Sequence, residues 1–364
     1  MAAVQSMCAR LGMVTGHGLA STLRAKFPRN VLVVVAGALF LANTINIGAD
    51  LAGMADAMEL LTKVGARIWV VVFGLFITWA TIRLRYVVLS QALKWLALAL
   101  FAYVLTAVRL HPDWGLILRE TATPTLPQTR SGWATVVAIL GTTISPYLFF
   151  WQASEEVEEE KSMGRHTLAQ RRGATSAEIT NRKIDVGIGT FFSNLVMFFI
   201  ILTTALTLHA HGITAPQTSK DVALALRPLA GRFATLLYAI GLVGTGMLAI
   251  PTLAGSAAYA MAETFHWHEG IDERLPKARR FYAVLGLAMI GGITMEFANL
   301  NPVKALYWSA VINGLLAPFL LLGILIVASD QRIMAGQTSS RLGRFTVGVT
   351  TAAMFAAAVA MFVV

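Results

Sequence analysis

Residues 138–152 read AILGTTISPYLFFWQ and place a polar, proline-containing segment inside an apolar run that covers residues 133–153. Pro146 has no N–H to donate, and its ring clashes with the carbonyl group four residues earlier, which is that of Thr142. A helix that breaks at this depth in a membrane leaves carbonyl oxygens free, and such oxygens bind cations. The alternative is a structural kink in which neighbouring Ser and Thr hydroxyls satisfy those carbonyls.

The remainder of the chain has the composition of a membrane protein. Of its 364 residues, 56% are apolar and 13% are charged, whereas soluble domains average about 25% charged residues. A segment of roughly 20 apolar residues crosses a hydrocarbon core of about 30 Å, and in lipid it must be helical. The sequence therefore predicts an all-α polytopic membrane protein, in one transmembrane domain over residues 1–364, with nine spans near 31–50, 66–83, 86–108, 133–153, 184–208, 233–262, 281–297, 303–328 and 345–364.

The net charge of +10 follows the predicted topology. If residues 10–30 are cytoplasmic, the inner connections hold 19 Lys and Arg residues and the outer connections hold 9. An excess of basic residues on the cytoplasmic side is the usual orientation signal. The positive charge is thus explained without a nucleic-acid partner.

Polar side chains inside the spans are the first candidates for an ion pathway. Asn43, Asn46 and Asp50 are spaced to share one helix face. An acid near mid-span is costly, so it indicates a water-filled path or a buried pair. The other candidates in or beside spans are Gln152, Asn194 and Asn313, the last with Pro318 expected to interrupt its helix.

Three polar groups outside the span centres have a structural and a functional interpretation. The carboxylates between Glu155 and Glu160 either gather cations at a cytoplasmic exit or form a solvated helix end. Asp185 either faces the pathway or caps its helix. His266 and His268 lie near acids, but without the fixed spacing of a tetrahedral metal site.

The first residues, MAAVQSMCARLGMVTG, are typical of the last turns of a helix, because glycines follow them. The alternative is a short interfacial helix that anchors the N-terminus. Cys8 is the only cysteine, so an internal disulfide and a cysteine metal cage are excluded.

Three stretches resemble the NRAMP family of divalent metal transporters: Ala9–Ala20, Asn43–Leu61 and the broken segment Ala138–Gln152. The resemblance covers nearly the whole chain and implies the LeuT-type fold, which has two inverted five-helix repeats and a metal site between the unwound parts of helices one and six. Met1–Ala20 resembles the end of helix two, and the nine spans resemble helices three to eleven. We therefore expect a fold without the first helix, whose Asp-Pro-Gly-Asn type motif does not occur in this sequence, and without most of the second.

The resemblance also implies an altered site. Ser145-Pro146-Tyr147 stands where the family has Met-Pro-His, and Gln152 stands where it has a second histidine. Gly53 replaces an acid and Ala310 replaces a glutamine ligand, so proton coupling of the usual kind is not expected. Oxygen ligands suit Mg²⁺, Ca²⁺ or Mn²⁺ better than softer metals, and the pattern resembles the divergent branch that includes Mg²⁺ transporters. The expected metal groups are the Thr142 carbonyl, the Ser145 hydroxyl and Tyr147.

These observations predict a secondary transporter that moves a divalent metal cation of the Mg²⁺ or Mn²⁺ type by alternating access. The metal is expected as substrate, with no cofactor, and the protein is expected in the bacterial inner (plasma) membrane. One alternative is a carrier of small organic solutes on the same fold, and another is a non-transporting truncated remnant. An intramembrane enzyme is disfavoured because no nucleophile–base pair lies in a span.

Overall fold

A computed structural model describes residues 1–83, 98–123, 125–213, 219–298 and 301–364, and within these ranges the regular elements are helices. The long helices, together with the shorter helix α4, are α1 Ala2–Thr15, α2 Arg29–Thr62, α3 Ala66–Arg83, α4 Phe101–Arg109, α5 Arg130–Thr143, α6 Pro146–Ser162, α7 Ser176–Thr207, α8 Ala234–Phe265, α9 Arg279–Phe297, α10 Pro302–Ser329 and α11 Arg341–Val363. Short α-helices cover Leu19–Leu23, Trp114–Ala122, Leu168–Arg171, Ser219–Ala223 and Arg227–Ala230. Single 3₁₀ turns cover Leu98–Leu100, His209–His211, Leu224–Leu226 and Gly231–Phe233.

Eight of the nine predicted spans are confirmed by helices that are long and apolar enough to cross a membrane. Helices α5 and α6 together form one of these crossings, from Arg130 to Ser162. The ninth prediction, 86–108, falls partly outside the described residues, which begin again at Leu98 with a 3₁₀ turn followed by α4. The chain is therefore a multi-pass, all-helical membrane protein.

The N-terminal segment is a helix buried within the bundle. Cys8 and Leu11 are fully buried, and α1 packs against α6 and α7. The helix ends as predicted, because Gly16 takes a left-handed conformation (φ 67°) and its N–H donates to the carbonyl of Gly12. A helix lying on the membrane surface would expose one face to water, so the alternative of an interfacial anchor is wrong.

Helix α2 forms the centre of the bundle and packs against α8, α9 and α10. Asn46 accepts a hydrogen bond from the hydroxyl of Ser309, and further along Ala52 lines a small cavity with Pro302. Residue numbers thus rise along α2 as they fall along α10, so these two helices are antiparallel. This register decides which polar side chains lie at the same depth.

Helix α10 continues unbroken from Pro302 to Ser329 through Pro318. The prediction that Asn313 and Pro318 interrupt this span is therefore wrong. Proline lacks the N–H that would bond to the carbonyl of Gly314, but membrane helices tolerate such a gap where neighbouring helices enclose it.

Two glycines allow α5 and α10 to cross with their backbones in contact. A Cβ atom on Gly141 would lie 2.1 Å from the carbonyl oxygen of Ala310. A Cβ atom on Gly314 would lie 2.2 Å from the carbonyl oxygen of Val137. Small residues at such crossings permit the close approach that stabilises helix pairs in lipid. The crossing brings α10 against the broken segment at the end of α5.

We expect Gly141→Ala and Gly314→Ala each to destabilise the protein by about 1–3 kcal/mol, the usual cost of overpacking. The measurement is thermal unfolding of the purified protein in detergent. Gly286→Ala is the matched control, because a Cβ on this glycine of α9 meets nothing within 4 Å. Equal melting temperatures for the three variants would mean that the crossing is not tight.

Candidate functional site

The predicted helix break is confirmed. Helix α5 ends at Thr143, and the chain is extended at Ser145 (φ −79°, ψ 130°) before α6 begins at Pro146. Pro146 occupies the first position of α6, where a helix needs no N–H from that residue. The proline thus starts a new helix here, and the residues between α5 and α6 are unwound.

Ser145 closes part of the gap that the break creates. Its hydroxyl lies 2.7 Å from the carbonyl oxygen of Gly141 and 2.8 Å from that of Thr142, and the side chain is buried. This is the geometry of the structural alternative, in which a hydroxyl satisfies freed carbonyls. The hydroxyl oxygen keeps its lone pairs, however, because it acts as a donor in both contacts. The structure thus brings two of the three expected metal groups together at the break.

Tyr147, the third expected metal group, lies where the two largest apolar clusters of the bundle meet. Its half-buried side chain packs against the cluster that contains Leu11 and Phe149 and also against the cluster that contains Leu51 and Trp151. The start of α6 is therefore held from both sides.

Two amide oxygens at the depth of the break are buried without a hydrogen-bond partner among the described residues. They are the Oδ1 atoms of Asn43 on α2 and Asn313 on α10. The antiparallel register puts both residues about one turn to the same side of the Asn46–Ser309 bond, and Asn313 directly precedes Gly314, which contacts α5. A buried acceptor left unpaired costs about 1–3 kcal/mol, so each oxygen is a candidate ligand.

The polar residues of α2 face two different neighbours. Asn43 donates from Nδ2 to the carbonyl of Leu253 (2.8 Å) and to the hydroxyl of Ser256 (2.9 Å), both on α8. Asn46 faces α10 instead, through its bond with Ser309. Asp50 follows Asn46 by one turn, is partly exposed, and makes no hydrogen bond or ion pair with the described residues. The role of Asp50 along an ion path stays a prediction.

The acidic end of α6 is largely enclosed by protein. Glu156 is 3% exposed and Glu160 is 5% exposed, so the interpretation as a solvated helix end is wrong for both. Gln152 donates to Glu156 (2.7 Å), whose carboxylate also accepts from Nε of Arg182 on α7 (2.9 Å). Both oxygens of Glu160 lack a hydrogen-bond partner among the described residues. Glu156, Glu160 and Arg182 line a cavity of about 270 Å³ between α1, α6 and α7.

Two candidates on α7 do not reach the broken segment. Asp185 is exposed and pairs with Arg182 (3.2 Å). It does not cap its helix, because Thr175 does so by accepting from the N–H of Glu178. Asn194 donates to the carbonyl of Thr190 (2.7 Å) and contacts the sulfur of Met1 (3.5 Å). Its hydrogen bonds therefore run within α7 and to the start of the chain.

The two histidines after α8 serve separate contacts. His266 Nδ1 bonds to the guanidinium of Arg24 (2.9 Å), and His268 Nε2 lies 3.6 Å from a carboxylate oxygen of Glu273. Across the described part of the chain, no group of three or more His, Cys, Asp or Glu side chains is placed to hold a metal ion. A cation site in these residues would therefore rely on carbonyl, amide and hydroxyl oxygens.

Sequence reasoning considered Glu263 only as one of the acids near His266 and His268, and it missed that this residue connects three parts of the fold. This buried carboxylate accepts from the N–H of Ser21 (2.9 Å) and from the hydroxyl of Ser154 on α6 (3.1 Å). It thereby joins α8 to α6 and to the short helix Leu19–Leu23. Its signal was present in the sequence, since Glu263 is the single acid between residues 234 and 265.

We expect Arg182→Gln to destabilise the protein by roughly 3–5 kcal/mol, because it leaves Glu156 buried and uncompensated. Adding Glu156→Gln in the same chain should restore most of that loss, since no buried charge then remains. The measurement is thermal or denaturant unfolding in detergent. Lys183→Gln is the matched control. Lys183 follows Arg182 directly in the chain, and its exposed ammonium makes no ion pair with the described residues. A double variant no more stable than Arg182→Gln would show that the pair is not coupled.

Comparison with known proteins identifies the family to which this chain belongs. The family profile described as "Natural resistance-associated macrophage protein-like" (Nramp) matches residues 1–364. The chain is 25% identical to the "Divalent metal cation transporter MntH" of Pectobacterium carotovorum, over 94% of this chain and 80% of that protein. It is also 25% identical to the protein of the same description from Brucella suis, over 96% of this chain and 75% of that protein.

A solved structure has the same fold. A mutant form of the manganese transporter of Eremococcus coleocola superposes with a TM-score of 0.66 at 19% identity, covering 98% of this chain and 76% of that one. The fold is therefore the LeuT-type fold of Nramp transporters. The family match extends over every residue of the sequence, including the broken helix and the acidic end of α6. The chain belongs to the Nramp family.

Proposed function

We propose that this protein is a secondary transporter of a divalent metal cation, which binds at the unwound segment between α5 and α6. The observation that carries the proposal is the presence, at the depth of the helix break, of two buried amide oxygens, of Asn43 and Asn313, that have no hydrogen-bond partner among the described residues. The relatives described as divalent metal cation transporters support the same class of substrate.

The donors available at this depth favour a hard cation. The candidate metal ligands are the carbonyl of Thr142, the hydroxyls of Ser145 and Tyr147, and the amides of Asn43 and Asn313. Each of these groups would bind a cation through oxygen. Neutral oxygen dipoles replace the water around a cation, and they suit Mg²⁺ and Mn²⁺ better than softer metals. We therefore propose Mg²⁺ or Mn²⁺ as the transported ion.

The approach to and exit from the proposed site are polar. Asp50 lies on α2 on the predicted outer side of Asn46. On the predicted cytoplasmic side, Gln152 leads to Glu156 and Glu160 and to the cavity that they line. Carboxylates at a pathway attract cations and raise their local concentration. Rocking of α5 and α6 against the packed helices α2, α8 and α10 would open the two sides in turn.

Asn313→Leu separates a functional oxygen from a structural one. The substitution removes a buried acceptor that has no hydrogen-bond partner in the described part of the chain, so it should leave the melting temperature unchanged or raise it. If the oxygen binds the cation, uptake by the full chain in proteoliposomes should fall by about tenfold, the usual effect of losing one hydrogen-bond-strength contact of about 1.4 kcal/mol.

Asn194→Leu is the control for this measurement, because the amide of Asn194 bonds within α7 and to Met1. We expect this variant to keep its uptake. Full uptake by a folded Asn313→Leu protein would remove Asn313 from the site.

Ser145→Met tests the preference for a hard cation. A thioether at this position should shift competition in an uptake assay towards Mn²⁺ or Cd²⁺ and away from Mg²⁺, because sulfur is the softer ligand. Ser145→Ala is the control for loss of the two hydrogen bonds to the carbonyls of Gly141 and Thr142. It should lower uptake of all ions without changing their order. An unchanged order of ions for Ser145→Met would exclude Ser145 as a ligand.

A further inference from the structure

A cluster of cations and aromatic rings lies where three membrane helices end on the predicted cytoplasmic side. The cluster, named here the basic–aromatic patch, joins the start of α2, the end of α8 and the start of α9. Its members are Arg24, Arg29, Phe265, His266, Trp267, Lys277, Arg279 and Arg280. The patch is separate from the broken helix and from the acidic cavity beside α6.

Ring faces position the arginines of the patch. Phe265 and Trp267 are stacked with their ring centres 5.1 Å apart. The guanidinium of Arg29 lies 5.4 Å from the centre of the Phe265 ring, and that of Arg280 lies 5.6 Å from the centre of the Trp267 ring. Cation–π contacts of this kind hold a guanidinium in place while leaving its N–H groups free to donate.

The positive charges of the patch are not neutralised by the described part of the protein. Among the described residues, no carboxylate pairs with Arg24, Arg29, Lys277, Arg279 or Arg280. Lys26, in the same connection as Arg24, differs in that it pairs with Asp330 at 2.5 Å. Lys277, Arg279 and Arg280, with Trp267 and the two histidines, line an open cavity of about 290 Å³. The cavity therefore offers several cationic donors to an anion.

The position of the patch indicates a lipid. Tryptophan is enriched at the boundary between membrane and water, and basic pockets at the cytoplasmic ends of spans bind anionic headgroups. From Arg279, a row of exposed side chains runs along α9 through Ala283, Leu287 and Ile290, the last two each 59% exposed. An acyl chain can lie along this row while its phosphate stays in the cavity.

We propose that the basic–aromatic patch is a binding site for the phosphate headgroup of an anionic phospholipid. The guanidinium and ammonium groups bind the phosphate oxygens, and the apolar row of α9 accepts one acyl chain. A soluble phosphate would use the same donors but would gain nothing from that row, so the two sources are distinguishable.

The test compares two triple variants of the full chain. Lys277→Gln, Arg279→Gln and Arg280→Gln together remove three charges from the cavity. Arg332→Gln, Arg341→Gln and Arg344→Gln together remove three charges from the connection before α11 and from its first turn, and serve as the control with equal net charge. Lipid retained by the purified protein is counted by native mass spectrometry after exposure to phosphatidylglycerol or phosphatidylcholine.

We expect the unsubstituted chain and the control to retain phosphatidylglycerol over phosphatidylcholine, and the patch variant to lose that preference by about tenfold or more. Equal retention by the patch variant and the unsubstituted chain would overturn the proposal. An equal loss in both variants would also overturn it, since it would mean a diffuse attraction of lipid to net charge. Displacement of phosphatidylglycerol by millimolar inorganic phosphate alone would overturn the choice of a lipid.

A second measurement uses Trp267 as a probe. Phosphatidylglycerol with brominated acyl chains quenches tryptophans that it contacts, so quenching should fall in Trp267→Phe relative to the unsubstituted chain. Quenching by the brominated lipid should also be lower in the patch variant than in the unsubstituted chain, because the lipid no longer binds beside Trp267. Quenching that is unchanged in both variants contradicts a lipid at this position, and far-ultraviolet circular dichroism checks that both remain folded.

Discussion

Every backbone polar group inside a bilayer has to find a partner within the protein, and the break between α5 and α6 depends on how this is done. The unwound residues lose bonds that a continuous helix would make. The Ser145 hydroxyl partly satisfies the carbonyls of Gly141 and Thr142, and Pro146 brings no donor that needs a partner. An unwound segment of this kind is stable only where protein encloses it, and here the contact of Gly141 with α10 provides one wall.

The packing around α2 follows from the same constraint. Apolar side chains gain little by leaving lipid for a protein interior, so association of helices in a membrane depends on close fit and on polar contacts. Asn43 bonds to α8 and Asn46 bonds to α10, which fixes the rotation of α2 between these two neighbours. The Nδ2 group of Asn43 donates its hydrogen bonds to α8, and the Oδ1 atom has no described hydrogen-bond partner. The hydrogen bonds to α8 thus fix the orientation of the amide, and its oxygen stays available as an acceptor among the described residues.

The sequence is enough to predict eight of the spans and the break, because both depend on local properties: the length of an apolar run and a proline beside hydroxyl residues. It is not enough to predict which neighbour a polar residue meets. Glu156 is shielded because Arg182, which follows it by 26 residues, returns on α7 to pair with it. Glu263 bonds to Ser21 across 242 residues of sequence. At Pro318 the local sequence is misleading. A proline favours an interruption of the helix, but α10 continues through this residue because neighbouring helices enclose it.

The two charged regions on the predicted cytoplasmic side have opposite signs and different surroundings. The carboxylates of α6 line a cavity between α1, α6 and α7, where Arg182 and Arg165 offset only part of their charge and Glu160 keeps both oxygens without a described hydrogen-bond partner. The cations of the basic–aromatic patch lie instead at the predicted cytoplasmic ends of α2, α8 and α9. Under the proposed function, a cation that leaves the broken helix meets the acidic groups of α6 first, whereas the cations of the basic–aromatic patch lie on other helices. Orientation by positive charge and the proposed passage of a positive ion are compatible in one chain, because the basic residues beside the acidic cavity, Arg165 and Arg182, are paired with carboxylates and those of the patch lie on other helices.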